Sequence, residues 1–410
     1  MKNLETLIQE LCPNGVEFRT MEEVFEIRNG YTPSKNNPDF WEGGTIPWFR
    51  MEDIRQNGRI LSDAIQHITP AAIKGKGLFP ANSIIIATTA TIGEHALVIA
   101  DSLANQQFTN LVVRKSLSAC LLPKFVFYYM FVIDEWCKKN VNAGNFASVD
   151  MKRFKKLEFP LPPIEVQTEI VRILDKFTSL EAELEAELDC RKRQYEYYRD
   201  KLLSFDNVGG QEVEWKKMSE VCLKTSKINW KLVEGEYKYI DLSSVDRDNH
   251  KISDCTIINK ENAPSRAQQV VKTGDILFGT TRPTLMRFCY IPKEYDGEVC
   301  STGYCVIRVN NEMINSHFAY HFLFTQKFQD YVEGHQKGAS YPAISNKDVM
   351  SFELPIPSLQ EQERIATILD RFESLTTSLQ SGLPAEIAAR RQQYEHYRDK
   401  LLTFKRKGAA

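Results

Sequence analysis

One stretch of this chain is written twice. Arg193 to Phe205 (RQYEYYRDKLLSF) returns as Arg391 to Phe404 (RQQYEHYRDKLLTF), with an offset of 199 from Tyr195/Tyr394 onward. Pro160 to Phe177 matches Pro355 to Phe372 at an offset of 195, and Glu17 to Val24 resembles Glu214 to Val221 at 197. Three ordered matches at nearly one offset mark a tandem duplication, and the period is too long for a solenoid. The chain must therefore fold as two copies of one unit of about 200 residues, where length alone would suggest two or three unrelated domains.

Composition narrows the partners. The 410 residues are 42% hydrophobic and 26% charged, which excludes disorder and low complexity. With 52 basic and 54 acidic residues, the chain is no simple polycationic binder of DNA or membranes. The charge divides as +1 over 1–159, −4 over 160–206, −1 over 207–354 and +2 over 355–410. The longest apolar run, Phe125 to Ile133, is too short to span a bilayer, and the first residues carry no apolar signal core. Nine scattered cysteines without a Cys-x-x-Cys pair suit reduced thiols, so a cytoplasmic protein with no membrane partner is expected.

Each unit divides into a mixed part and a helical part, which predicts an α+β fold with boundaries at 1–159, 160–206, 207–354 and 355–410. Ser83 to Thr89 and Asp275 to Thr281 read as equivalent strands, as do Val112-Val113-Arg114 and Val306-Ile307-Arg308. Helices are expected over Phe125–Lys139 and Phe318–Glu333. After Leu161-Pro162-Pro163, apolar residues recur at 4-3 spacing as Ile170, Leu174, Phe177, Leu184, Leu188, Tyr195, Tyr198, Leu202 and Phe205. Such a stripe is a coiled-coil seam, imperfect where Glu181 and Arg191 fall on it. The second copy repeats it as Ile365, Leu369, Phe372 and Leu375, then Tyr394, Leu401 and Phe404. There Gly382-Leu383-Pro384 predicts two helix pieces. One chain carries both stripes, so the two helical regions are expected to pack on each other as an antiparallel coiled coil.

No catalytic motif is present: no phosphate-binding Gly-x-x-x-x-Gly-Lys loop, no dinucleotide turn, no nucleophile elbow and no Asn/Asp-Pro-Pro-aromatic methyltransferase motif. Cys300, Cys305, His317 and His321 approach a zinc-finger spacing. The first copy places Ala104, Thr109, Lys124 and Tyr128 there, so buried thiols and helix-surface histidines are the expectation, with no metal and no catalytic residue.

Two variable domains, each followed by a near-identical helical segment with Leu-Pro-x-Pro leading to Glu-x-Gln and Ile-Leu-Asp, resemble the specificity subunit of type I DNA restriction–modification systems. The resemblance covers essentially the whole chain, and Pro160–Phe205 and Pro355–Phe404 are its most specific parts. It implies two target recognition domains, each reading half of a bipartite double-stranded DNA site. It also implies helices that hold the domains and dock two modification (methyltransferase) subunits. S-adenosylmethionine, ATP and Mg2+ would belong to those partners and to the restriction (motor–nuclease) subunits, with no cofactor in this chain. Two other readings stand beside it: a methyltransferase or nuclease with an unrecognised site, and a coiled-coil scaffold without a DNA role.

Base reading needs donors and acceptors on loops that reach a groove. Three loop sets, matched between the copies, are the candidates. The first is Lys35-Asn36 with Arg50, against Lys227 and Asn229. The second is Thr88, Thr89 and Thr91, against Thr280, Thr281 and Arg282. The third is the stretch around Asn145, against Lys337, Ser340 and Tyr341. Gln106, Gln107, Ser301 and Tyr304 are further candidates, and Arg282 is favoured because arginine grips guanine with two bonds. Gln167, Ile170, Leu174, Phe177, Tyr195 and Arg199, with their counterparts Gln362, Ile365, Leu369, Phe372, Tyr394 and Arg398, are expected in helix packing or partner contact.

Overall fold

The computed structural model describes residues 4–142, 147–205, 213–377 and 382–408. The chain forms two compact units, one from 1–182 with 389–410 and the other from 183–388. The division falls inside the helical regions rather than at their ends. A single helix, Ile164–Leu203, passes from the first unit into the second. The second helical region is two helices, Leu359–Thr377 and Leu383–Leu401. Gly382 stands at φ +83° before the second of these, where a Cβ would meet the Leu375 carbonyl at 2.8 Å.

In the first unit, Ser83–Ala87 is the middle strand of a five-stranded sheet. The order is Phe25–Asn29, Phe108–Val113, Ser83–Ala87, His95–Val98, Ile60–Leu61. All five residues of this strand are buried, because both faces of the sheet are covered. Ile84 and Ile86 pack with the helix Pro123–Lys139, while Ile85 and Ala87 pack with Trp48, Phe49, Met51 and Ile54. A three-stranded sheet, His67–Ile68, Ile46–Phe49, Leu103–Ala104, lies in this second core.

The second unit repeats the plan. Its middle strand, Ile276–Gly279, pairs antiparallel with Phe288–Tyr290 and with Tyr304–Ile307. Ile276 and Phe278 face the helical core; Leu277 faces the other. The helix expected over Phe318–Glu333 is two, Ser316–Phe322 and Gln326–His335. Thr325 ends the first run by capping the second, its hydroxyl accepting from the Phe328 N–H.

Each helical core is shared between both helical regions. In the first unit, Val166, Ile170, Leu174 and Leu402 are buried together, with Tyr394, Leu401 and Phe404 packed against them. Phe177 stacks on Tyr397 at 5.5 Å, and Glu181 pairs with Arg391, so the segments run antiparallel and the polar seam position finds its counter-ion. In the second unit, Ile365, Leu369, Tyr195 and Leu203 share a core, and Phe372 stacks on Tyr198 at 5.9 Å. Arg199 lies over Tyr195 and Arg398 over Tyr394, each one helical turn along.

A buried glutamine fastens each domain to its helix. Gln167 donates to the carbonyls of Cys120 and Pro162, both at 2.7 Å, and accepts from the Leu122 N–H at 2.9 Å. Gln362 donates to Met313 and Pro357 at 3.2 and 2.8 Å and accepts from the Asn315 N–H at 2.7 Å. Leu122 and Asn315 are the N-cap residues of the helices that follow them. An aspartate adds a second tie. Asp175 takes Lys124 and Tyr128 at 2.6 and 2.7 Å. Asp370 takes His317 and His321 at 3.1 and 2.7 Å.

The turn after each middle strand holds a non-glycine residue in the left-handed region, Ala90 at φ +62° and Arg282 at φ +49°. That conformation costs an L-residue about 1–2 kcal/mol.

Two outcomes follow from this packing. Gln167→Leu leaves three backbone groups without partners and is expected to cost the first unit about 3 kcal/mol in urea unfolding. Ala90→Gly removes the left-handed strain and is expected to raise stability by about 0.5 kcal/mol after glycine's larger backbone entropy is counted.

Candidate nucleic-acid interface

The left-handed turns are locked on both sides, in the same way in each unit. Thr88 N–H donates to the Gln107 carbonyl at 2.9 Å, the Thr88 carbonyl accepts from Val149 at 2.9 Å, and Ala90 N–H donates to Ala147 at 3.4 Å. In the second unit Thr280 N–H donates to Gly303 at 2.8 Å, the Thr280 carbonyl accepts from Ile344 at 3.0 Å, and Arg282 N–H donates to Pro342 at 2.7 Å. The second and third loop sets are thus brought together at the end of the middle strand, with the Asn105–Gln107 or Ser301–Gly303 loop on the other side. Asn145 lies outside the described residues.

Part of the first set joins the same end. Arg50 follows the strand Ile46–Phe49, whose last carbonyl accepts from Asn105 N–H at 3.0 Å. Its guanidinium is half-buried, lies over Trp48 at 5.9 Å and comes within 3.7 Å of Glu52. The equivalent position of the second unit is Asp241, after the strand Tyr237–Ile240, its carboxylate accepting from Leu242 N–H at 2.7 Å. Thr32 hydrogen-bonds Gln106, but Lys35 and Asn36 stand further out on an exposed turn. Lys227 and Asn229 are exposed beside the edge strand Ser226–Lys227, which pairs with Ala267–Val270 and not with the locked turn.

The accessible side chains of the first turn are Thr89, Thr91, Gln106 and Gln107, and of the second Thr281, Arg282, Lys337, Ser340 and Tyr341. Arg282 lies over the exposed Tyr341 ring at 4.9 Å. That stacking holds the guanidinium at the surface without consuming its hydrogen bonds.

Four candidates are corrected by burial. Tyr304 is fully buried and donates to the Asp241 carbonyl at 3.0 Å. Ser301 is fully buried, its hydroxyl accepting from Gly303 N–H at 3.2 Å. Thr88 shares its hydroxyl with Thr109 at 2.8 Å, and Thr280 donates to the Gly303 carbonyl at 2.9 Å. All four build the loops from inside, their hydroxyls bonded to Thr109 or to neighbouring backbone groups.

A basic loop went unread in the sequence. Lys74-Gly75-Lys76-Gly77 is held by Arg28, which donates to the carbonyls of Lys76, Gly77 and Leu78, and by Tyr31, whose hydroxyl accepts from Lys74 N–H at 2.8 Å. Burial lowers the Arg28 pKa from its ordinary value. Both lysines remain exposed. The corresponding loop of the second unit presents the exposed Arg266, whose carbonyl accepts from Thr302 N–H at 2.9 Å. The alternation of lysine with glycine was the available signal: glycine takes the positive φ and leaves the ammonium groups outward.

Cys300 and Cys305 lie in different cores from each other, on either side of the sheet. Burial raises both thiols above their ordinary pKa, and no cysteine–histidine cluster forms among the described residues. No helix among the described residues is long and apolar enough to cross a membrane.

The family model described as the type I restriction modification DNA specificity domain matches the chain twice, over residues 13–189 and 211–389. The EcoprrI type I restriction enzyme specificity subunit of Escherichia coli is 39% identical over 375 residues, covering 89% of each chain. The EcoR124I/EcoR124II specificity subunit, also of Escherichia coli, is 33% identical over 310 residues, covering 69% of this chain and 71% of its own. The crystal structure of the HsdS subunit from Thermoanaerobacter tengcongensis is 34% identical over 40% of this chain and 43% of that one, with a TM-score of 0.37. The methyltransferase, nuclease and scaffold readings give way: the chain belongs to the DNA specificity subunits of type I restriction–modification systems, the non-catalytic recognition members of those complexes.

Proposed function

We infer that each unit reads one half of a bipartite double-stranded DNA target with the loops gathered at the end of its middle strand. The observation that carries this reading is one backbone lock built twice with different side chains. Ala90 and Gln106 stand where the other unit has Arg282 and Thr302, and Arg50 stands where it has Asp241. The constant lock fixes the approach to a groove, and the variable side chains supply different donors and acceptors. The two half-sites therefore differ in sequence. Lys74 and Arg266 take phosphates, and the near-neutral charge of each domain leaves the rest of the backbone grip to partner subunits.

The helical regions 160–206 and 355–410 set the gap between the half-sites and dock two modification subunits. Those subunits supply S-adenosylmethionine and the methyl transfer. Restriction subunits add ATP- and Mg2+-dependent cleavage.

With the modification subunits present, Arg282→Ala is expected to relax one base position of one half-site, a discrimination of about 1–3 kcal/mol. Lys74→Ala is expected to weaken binding to all sequences alike and to lower the salt dependence by about one counterion. Sequencing of methylated sites and salt titration of binding measure these; an unchanged target with normal binding by Arg282→Ala overturns the assignment. Inserting four residues after Ser179 adds about 6 Å of helix and is expected to lengthen the unread gap in the methylated sequence. An unaltered gap would refute the spacing role.

A further inference from the structure

The second unit closes its helix contact with more ligating groups than the contact requires. His317 and His321 stand one turn apart on the helix Ser316–Phe322, and Asp370 and Glu373 one turn apart on Leu359–Thr377. The Asp370 carboxylate lies 2.7 Å from His321 Nε2 and 3.0 Å from His317 Nδ1. Ligand atoms of His321, Asp370 and Glu373 all fall within 4.8 Å of one another. The first unit makes the same contact with Lys124, Tyr128 and Asp175, and has Thr178 where Glu373 stands. An ammonium, a phenol and one carboxylate are therefore enough to close the joint.

We propose that His317, His321, Asp370 and Glu373 form a binding site for one divalent transition-metal cation of the zinc class. Two imidazoles and two carboxylates are a donor set suited to such an ion. The zinc-like spacing in the sequence thus holds the right histidines and the wrong cysteines; the other two ligands come from the facing helix. Tyr195 supplies the outer contact: its hydroxyl lies 3.3 Å from His321 Nδ1, which leaves Nε2 directed at the carboxylates. His321 is fully buried, while His317 and Asp370 open on a cavity of about 560 Å³ lined also by Tyr290 and Tyr320, which gives the ion a way in.

Calorimetric titration of the full chain with ZnCl2 tests this, with Co2+ absorption separating nitrogen–oxygen ligation from thiolate ligation. Wild type is expected to take one equivalent without a thiolate band. The double variant His317→Lys, His321→Tyr installs the side chains of the first unit, so the joint still closes, and it is expected to lose that equivalent. Glu373→Thr is expected to weaken uptake tenfold or more. No stoichiometric uptake by wild type overturns the site, as does uptake by the double variant or Glu373→Thr at wild-type affinity.

Discussion

A buried side-chain amide determines how each reading domain meets its helix. Gln167 and Gln362 have no solvent access, and each places its acceptor and one donor on backbone groups of the domain and its other donor on the proline carbonyl that leads into its own helix. A neutral amide does this without the desolvation cost of a charge, and a hydrophobic residue of the same size could not do it at all. Because its partners include the N–H of the residue that caps the domain's own helix, the amide fixes that helix start and the lead-in of the long helix in one geometry. The apolar seam can slide by a turn at little cost; a three-bond amide cannot. Asp175 and Asp370, two turns further on, hold the same register with charge.

The shared cores follow from that register. Residues 166–174 meet 394–404 in one core, and 195–203 meet 365–372 in the other. Each helical region therefore serves both units, and neither unit can be cut from the chain at the ends of its own helices without opening a core. This is why the compact division falls at residues 182 and 388 although the sequence changes character near 160 and 355.

The duplication made most of this legible. Two copies of one pattern revealed the strands that flank the turn and the seam, and Gly382-Leu383-Pro384 marked the break found in the second copy alone. Periodicity could not separate the helix ending at Phe322 from the one beginning at Gln326, since apolar residues continue through the capping threonine. The site was legible as loops but not as side chains. Thr88 and Thr280 read as polar loop residues, yet they directly follow strands buried on both faces and are buried themselves, their hydroxyls bonded to Thr109 and to the Gly303 carbonyl. Tyr304 and Ser301 flank the same turn from inside, Tyr304 opening its strand against the Asp241 carbonyl and Ser301 closing its own against Gly303. Arg282 is exposed, as a loop residue reaching outward should be; its left-handed backbone had no signal, because no glycine marks the position. The Lys74 loop escaped because its counterpart, Arg266, lies in a stretch with no residue in common.

The two turns show how one frame can carry two different side chains. The backbone bonds of Thr88 and Ala90 are those of Thr280 and Arg282, so the conformational cost of the left-handed residue is met twice by the same flanking loops. Once the frame is fixed by main-chain atoms, the side chain at that position is free to vary without refolding the loop. It is alanine in one unit and arginine, steadied by Tyr341, in the other. Strain confined to the backbone and chemistry confined to the side chain are thus separable. A domain built this way can exchange its exposed turn residues while its core, its amide anchor and its helices stay as they are.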